Sequence, residues 1–196
     1  MMKKQLYFWI IAIVFVAGLL VLKNEMKQQG GGMLPGSGGH FSLQSDQGTV
    51  SLSDFKGKVV MIYFGYMSCP DICPTSLLFM GSAMDLLNES QAAEVQGIFI
   101  SLDPDRDSPE AIGFYARGFN ERFIGLTDTK SVIDQLARQY GVVYKKTPLK
   151  DSAMGYVVDH TSVTYLIDQN GVLQYHLPHN STAEKISEDI KQLLSD

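Results

Sequence analysis

The chain has 196 residues, 45 % of them hydrophobic and 19 % charged, which is enough for one domain with a proper core and too little for two. That balance excludes a disordered, collagen-like or disulfide-dense protein. The formal net charge is −5, and from Gly30 onward acidic side chains outnumber basic ones more strongly still, so no basic stripe is offered to nucleic acid and cationic partners or metal ions suit the surface better.

The chain opens with an unbroken apolar run from Leu6 to Leu22, flanked by Lys3, Lys4, Lys23 and Lys27. It is close to the length that crosses a bilayer, and snorkelling lysines extend it at both ends. A transmembrane anchor over residues 6–23 is expected, behind a cytoplasmic tail of residues 1–5. The competing reading is a cleaved signal peptide, but the run exceeds a usual signal core and no small-x-small site follows it. The flanking lysines do not decide orientation; a short N-terminal tail favours an exported domain. Without an Arg- and Ser-rich leader, a bacterial cytoplasmic membrane with the domain on the extracytoplasmic side is expected. Residues 24–39, rich in Gly and polar side chains, read as a flexible linker to a domain spanning residues 40–196.

Within the domain, Phe41–Leu43 and Val50–Leu52 flank Asp46-Gln-Gly48 and predict a hairpin. Val59 to Phe64 is a continuous β-branched and aromatic run, the pattern of a strand buried on both faces. Thr75 to Asn88 carries apolar residues at helical spacing, with Pro74 suited to the first helical position. Val95 to Leu102 repeats the buried-strand pattern, and Asp107-Ser-Pro-Glu110 opens a second helix, with Asp107 read as its cap. A weaker strand at Phe123–Leu126 precedes a helix from Val132 to Tyr140 ended by Gly141. Val142–Lys145, Tyr156–Asp159, Ser162–Ile167 and Val172–His176 read as strands, the last two joined by a turn at Asp168-Gln-Asn-Gly171, and a helix from Thr182 to Leu194 closes the chain. The fold class is α/β, a thioredoxin-like order with an N-terminal hairpin and an inserted hairpin, preceded by one transmembrane helix.

Only two cysteines are present, Cys69 and Cys73, in Cys69-Pro-Asp-Ile-Cys73. A bridge across so short a loop gains little chain entropy, so the pair points to chemistry rather than scaffolding. It falls between the first buried strand and its helix, at the sheet edge where open α/β folds place their sites. A helix N-terminus stabilises thiolate, the form that binds metal and attacks disulfides, and both readings stand at this point. Three intervening residues, where redox enzymes of this fold use two, weaken the reductase reading. Two thiolates make a soft site for Cu(I), and an imidazole would let it hold Cu(II) as well.

The histidines are His40, His160, His176 and His179. A lone histidine is structural by default, yet His160 alone stands at a strand-adjacent turn between core segments, with Asp159 as a candidate to orient its ring. His176 and His179 read as solvated. Asp103, Asp105, Arg106 and Asp107 cluster after the second buried strand, where they can bring a carboxylate near the cysteine loop. Met61, Met67, Met80 and Met84 read as core or loop filler.

From about Phe41 to its C-terminus the sequence closely resembles the Sco/SenC family of copper-binding assembly factors for cytochrome c oxidase. The resemblance is carried by Gly57-Lys-Val-Val-Met-Ile-Tyr-Phe-Gly-Tyr66 followed by Cys69-Pro-Asp-Ile-Cys-Pro-Thr75, by Ser101-Leu-Asp-Pro-Asp-Arg-Asp-Ser-Pro109, and by Val158-Asp-His-Thr-Ser162 with Tyr165-Leu-Ile-Asp168. It implies copper ligation by Cys69, Cys73 and His160, a supporting role for Asp103, and an anchored, exported domain. Met67-Ser68 departs from the family's pattern, which has a threonine and often an aromatic or histidine before the first cysteine. The resemblance implies a part in building the oxidase's dinuclear copper centre, by delivering copper or by reducing its cysteines; the leading reading is a copper metallochaperone rather than an enzyme, which takes copper from an upstream donor and delivers it to the oxidase subunit that carries that centre. The alternative is a thiol-disulfide oxidoreductase in which Cys69 and Cys73 are redox-active and reduce that centre's cysteines. A peroxiredoxin-like peroxidase is a weaker third reading. The membrane is an expected partner and nucleic acid is not.

Overall fold

The computed structural model describes residues 36–150 and 152–195. Strand β3 (Val59–Gly65) lies at the centre of a five-stranded sheet. It pairs parallel with β4 (Val95–Ser101), which pairs parallel with β5 (Ile124–Leu126). On its other edge β3 pairs antiparallel with β8 (Val163–Ile167), and β8 with β9 (Leu173–Pro178). Every residue of β3 is buried, which is why its sequence shows no polar alternation. Helices α1 (Ile72–Asp85), α2 (Glu89–Ala93), α3 (Pro109–Arg117), α4 (Lys130–Tyr140) and α5 (Ala183–Ser195) complete the domain. Phe64, Tyr140 and Tyr165 pack with ring centroids 5.4–5.6 Å apart and tie β3, α4 and β8 together.

Two hairpins stand outside this sheet, as the sequence predicts. Strands β1 (Ser42–Ser45) and β2 (Gly48–Ser51) form the first; β6 (Tyr144–Pro148) and β7 (Tyr156–His160), between α4 and β8, form the inserted one. Strand β6 starts later than the pattern suggests. Gly141 ends α4 with a left-handed φ of 71°, and the Val142 amide folds back onto the Ala137 carbonyl at 2.7 Å, so Val142 belongs to the helix cap.

Three further boundaries differ from the sequence reading. Helix α1 begins at Ile72, so Cys73 lies inside its first turn and Pro74 follows, a place where the missing N–H breaks no helical bond. Helix α3 is capped by Ser108, whose hydroxyl accepts from the Ala111 amide at 3.2 Å, and not by Asp107. Helix α2 is too short for periodicity to reveal; Asn88 and Gln91 hold it with reciprocal caps. Residues 36–39 are hydrogen-bonded to the end of α4, with the Gly36 and Gly38 amides on the Gln139 carbonyl and the Tyr140 hydroxyl on Gly39 O. Among the described residues no helix is long and apolar enough to cross a membrane, and the expected span at residues 6–23 lies outside them.

Candidate metal centre

Strand β3 runs out of the sheet at Gly65, and the chain crosses from Tyr66 to Asp71 before entering α1. Cys73, in the first turn of α1, is fully buried against the end of β3. A methyl group on residue 65 would stand 2.8 Å from Cys73 Sγ and 2.9 Å from the Phe99 ring, so only glycine leaves room for the thiol here. Cys69 precedes the helix on a turn closed by its amide and the Tyr66 carbonyl at 3.3 Å, and is half-buried.

His160 ends β7, and its Nε2 stands 3.3 Å from Cys73 Sγ, although the two residues are 87 positions apart. Its Nδ1 lies 3.0 Å from the Thr161 carbonyl. A carbonyl only accepts, so Nδ1 carries the proton and Nε2 turns its lone pair to the sulfur. The Tyr63 and Tyr66 rings stand edge-on to the imidazole at 6.1 Å each and wall it in. Sγ of Cys69, Sγ of Cys73 and a ring nitrogen of His160 all lie within 4.8 Å of one another. Asp159, the sequence candidate for orienting the ring, accepts from Thr147 Oγ1 at 2.5 Å instead; neighbouring strand residues point to opposite faces, and Thr161 O does the orienting.

The two thiols are electrostatically unequal. A hydrogen bond from Cys73 holds the Cys69 thiol far below its ordinary range, assisted by the Asp71 and Cys73 amides against the opposing effect of burial. Cys73 is pushed up by its hydrogen bond to Cys69, by burial and by the negative charge of Cys69. Both directions favour the thiolate on the accessible sulfur and the proton on the buried one.

The motif after β4 divides around the site. Asp107 is buried and its Oδ2 accepts from the Met67 amide at 3.0 Å and from Ser101 Oγ at 2.6 Å, so this is the carboxylate that touches the cysteine loop. Burial pushes its carboxyl up despite those two hydrogen bonds. Asp103, the residue singled out by the family resemblance, is fully buried one step further away, ion-paired to Arg106 and to Lys146. Burial alone would raise its carboxyl, but Lys146, Tyr156 and Arg106 more than offset this and hold it below the usual range. A spacing that also fits a helix cap hid the role of Asp107, and no sequence signal marks Lys146 or Tyr156. His40, His176 and His179 are exposed and outside the cluster, His176 lying edge-on to Tyr165. Met61, Met80 and Met84 are core residues, and Met67 packs against the core edge.

Two sulfurs and one nitrogen make a soft donor set that fits copper, Cu(I) above all. A closed structural zinc site would need a fourth protein ligand, and among the described residues no other His, Cys, Asp or Glu joins the three.

Residues 34–195 match the SCO1/SenC family model. The chain is 39 % identical over 155 residues to a SCO2-like protein of Rickettsia felis, covering 79 % of this chain and 75 % of that protein. It also matches the copper-bound structure of ScoI from Bradyrhizobium japonicum at 36 % identity and a TM-score of 0.72, over 81 % of this chain and 99 % of that one. A structure of BsSco, a member of the Sco family of cytochrome c oxidase assembly proteins in which a disulfide switch was identified, matches at 26 % identity and a TM-score of 0.61, over 85 % and 98 % of the two chains.

Proposed function

The chain belongs to the SCO1/SenC family, and from that premise we propose that it is a membrane-anchored copper metallochaperone for assembly of the dinuclear copper centre of cytochrome c oxidase. One observation carries the reading: the imidazole of His160 stands 3.3 Å from a thiol that lies 87 residues away, with the second thiol inside the same 4.8 Å cluster. Cys69, Cys73 and His160 are the ligands in this proposal, and the copper-bound relative supports copper as the cargo. Residues 6–23 serve as anchor and residues 24–35 as tether, the expected linker being shortened by residues 36–39, which are bonded to α4, with the domain outside a bacterial cytoplasmic membrane. The accessible Cys69 thiolate meets the incoming ion first, and Cys73 gives up its proton as the ion takes its place. Transfer proceeds by ligand exchange with thiolates of the client subunit. Anaerobic titration of the reduced full chain with Cu(I) tests this; parent-like affinity in the Cys69→Ala, Cys73→Ala and His160→Ala variants would overturn the ligand assignment.

A second reading is supported by the inequality of the thiols and by the disulfide switch identified in BsSco. In a thiol-disulfide oxidoreductase the Cys69 thiolate attacks the client disulfide, and Cys73 resolves the mixed disulfide as a thiolate, its proton passing to the released client thiolate. His160→Ala separates the two: it spares reduction of a client disulfide and weakens copper retention.

A further inference from the structure

Strand β7 buries only one of its residues, Val158, and among the described strands pairs only with β6, so beyond the Tyr63 and Tyr66 rings beside His160 little apolar packing holds the strand in place. What meets the hairpin is a buried polar cluster. Asp103 pairs with Lys146 of β6 at 2.7 Å and accepts from the Tyr156 hydroxyl of β7 at 2.8 and 3.0 Å. Arg106, ion-paired to the same carboxylate, donates through Nη1 to the Tyr156 and Met154 carbonyls at 3.2 and 3.3 Å. Its guanidinium lies 3.8 Å from the Tyr156 ring centroid and 5.7 Å from that of Tyr66, on the cysteine side. Tyr156, Val158 and His160 alternate onto one face of β7, so fixing Tyr156 fixes the direction in which His160 points. Four residues along the same turn, Asp107 holds the Met67 amide of the cysteine loop.

We propose that the turn after β4, residues 102–107, is a bracket that sets the spacing between the two halves of the site. Arg106, with Asp103, is the positioning residue for His160, and Asp107 is the positioning residue for Cys69. The purpose of the bracket rests on the copper reading; its existence does not, and the experiment separates the two.

Amide hydrogen exchange and iodoacetamide labelling of the reduced, metal-free full chain read the two arms without copper. Arg106→Lys keeps the charge but loses the planar fork, and should speed exchange of the β7 amides by about tenfold while leaving the Cys69 labelling rate unchanged. Asp107→Ala should change the Cys69 labelling rate severalfold and leave β7 exchange unchanged, and Asp107→Asn, which keeps an oxygen acceptor for the Met67 amide, should restore the parent rate. Lys146→Met, at a partly exposed position, repeats the hairpin result with less risk to folding. In the copper-loaded protein, Arg106→Lys should weaken the nitrogen hyperfine signal of Cu(II) and lower copper retention roughly 10–100-fold with the thiolate charge-transfer band preserved. The bracket is overturned if either variant moves both readouts together, or if neither moves its own. A parent chain that takes no copper would sink the metal reading alone, because the metal-free rates would still decide the bracket.

Discussion

Val59 to Gly65 is covered on both faces and paired on both edges, whereas Tyr156 to His160 pairs on one edge and buries Val158 alone. The cysteines issue from the first strand and the histidine from the second. Local opening free energies range from near zero at exposed ribbons to the global value in core strands, so the two halves of the site have different lifetimes. A carrier has to hold its ion and also give it up. On the proposed copper reading, soft thiolates on the rigid half and a borderline imidazole on a ribbon held by polar contacts would let the weaker ligand leave first while the ion stayed bound through sulfur.

The largest effect expected from this contrast is on affinity. Cys69→Ala or Cys73→Ala should weaken Cu(I) binding by more than about a thousandfold, about 4 kcal/mol. His160→Ala should cost roughly 10–100-fold, because two thiolates alone satisfy Cu(I). Competition titration against a Cu(I) chelator measures both, and equal losses for all three variants would erase the contrast.

Next comes the pH dependence of the rigid half itself. An ordinary thiol of pKa about 8.5 loses reactivity tenfold per unit of pH below that value. Cys69 titrates far below the ordinary range, so its alkylation rate in the reduced, metal-free protein should stay nearly flat as pH falls from 8 to 6. Cys73 is shifted the other way and should stay unlabelled throughout. Peptide mapping after iodoacetamide at pH 6 should show carboxamidomethyl groups on Cys69 only. Labelling of Cys73 first would reverse the assignment of nucleophile and partner.

A smaller effect ties the thiol to the sheet. Gly65→Ala places a methyl group 2.8 Å from Cys73 Sγ and 2.9 Å from Phe99, at a buried residue paired with Ser101 of β4. Overpacking of this kind costs about 1–3 kcal/mol, roughly 2–4 °C of melting temperature for each kcal/mol in a domain of this size. The same change should lower copper affinity by displacing Cys73, whereas methyl groups added on the hairpin should not.

The rigid half was the legible half. Val59–Phe64 and Val95–Leu102 read as doubly buried strands because burial on both faces leaves an uninterrupted apolar run, and Cys69 and Cys73 stand where such a strand feeds a helix. The start of α1 is not legible in the sequence, because a proline fits several first-turn positions equally well and Pro74 does not mark the first one. The hairpin half was legible only as two short strands. Lys146 and Tyr156 reach Asp103 from 43 and 53 positions away, and pairing over such distances leaves no local pattern. Asp107 reads as a cap of the helix beside it because an acid before Ser-Pro is also what a cap looks like; in the structure it is buried and Ser108 caps the helix.

The smallest expected effects test whether the hairpin is as separable from the site as this contrast requires. Thr147 donates to Asp159 at 2.5 Å across the outer face of β6 and β7, on the side away from the imidazole. Cross-strand polar pairs contribute roughly 0.2–1 kcal/mol, so Thr147→Val and Asp159→Ala should each lower global stability by less than about 1 kcal/mol. Both should speed amide exchange in β6 and β7 and leave β3 untouched. Copper affinity should stay within about twofold of the parent for Asp159→Ala, because the ring is oriented through Nδ1 and the Thr161 carbonyl. If Asp159→Ala instead lost copper as His160→Ala does, the outer and inner faces of the ribbon would be mechanically one, and the imidazole could not leave without the hairpin unzipping around it.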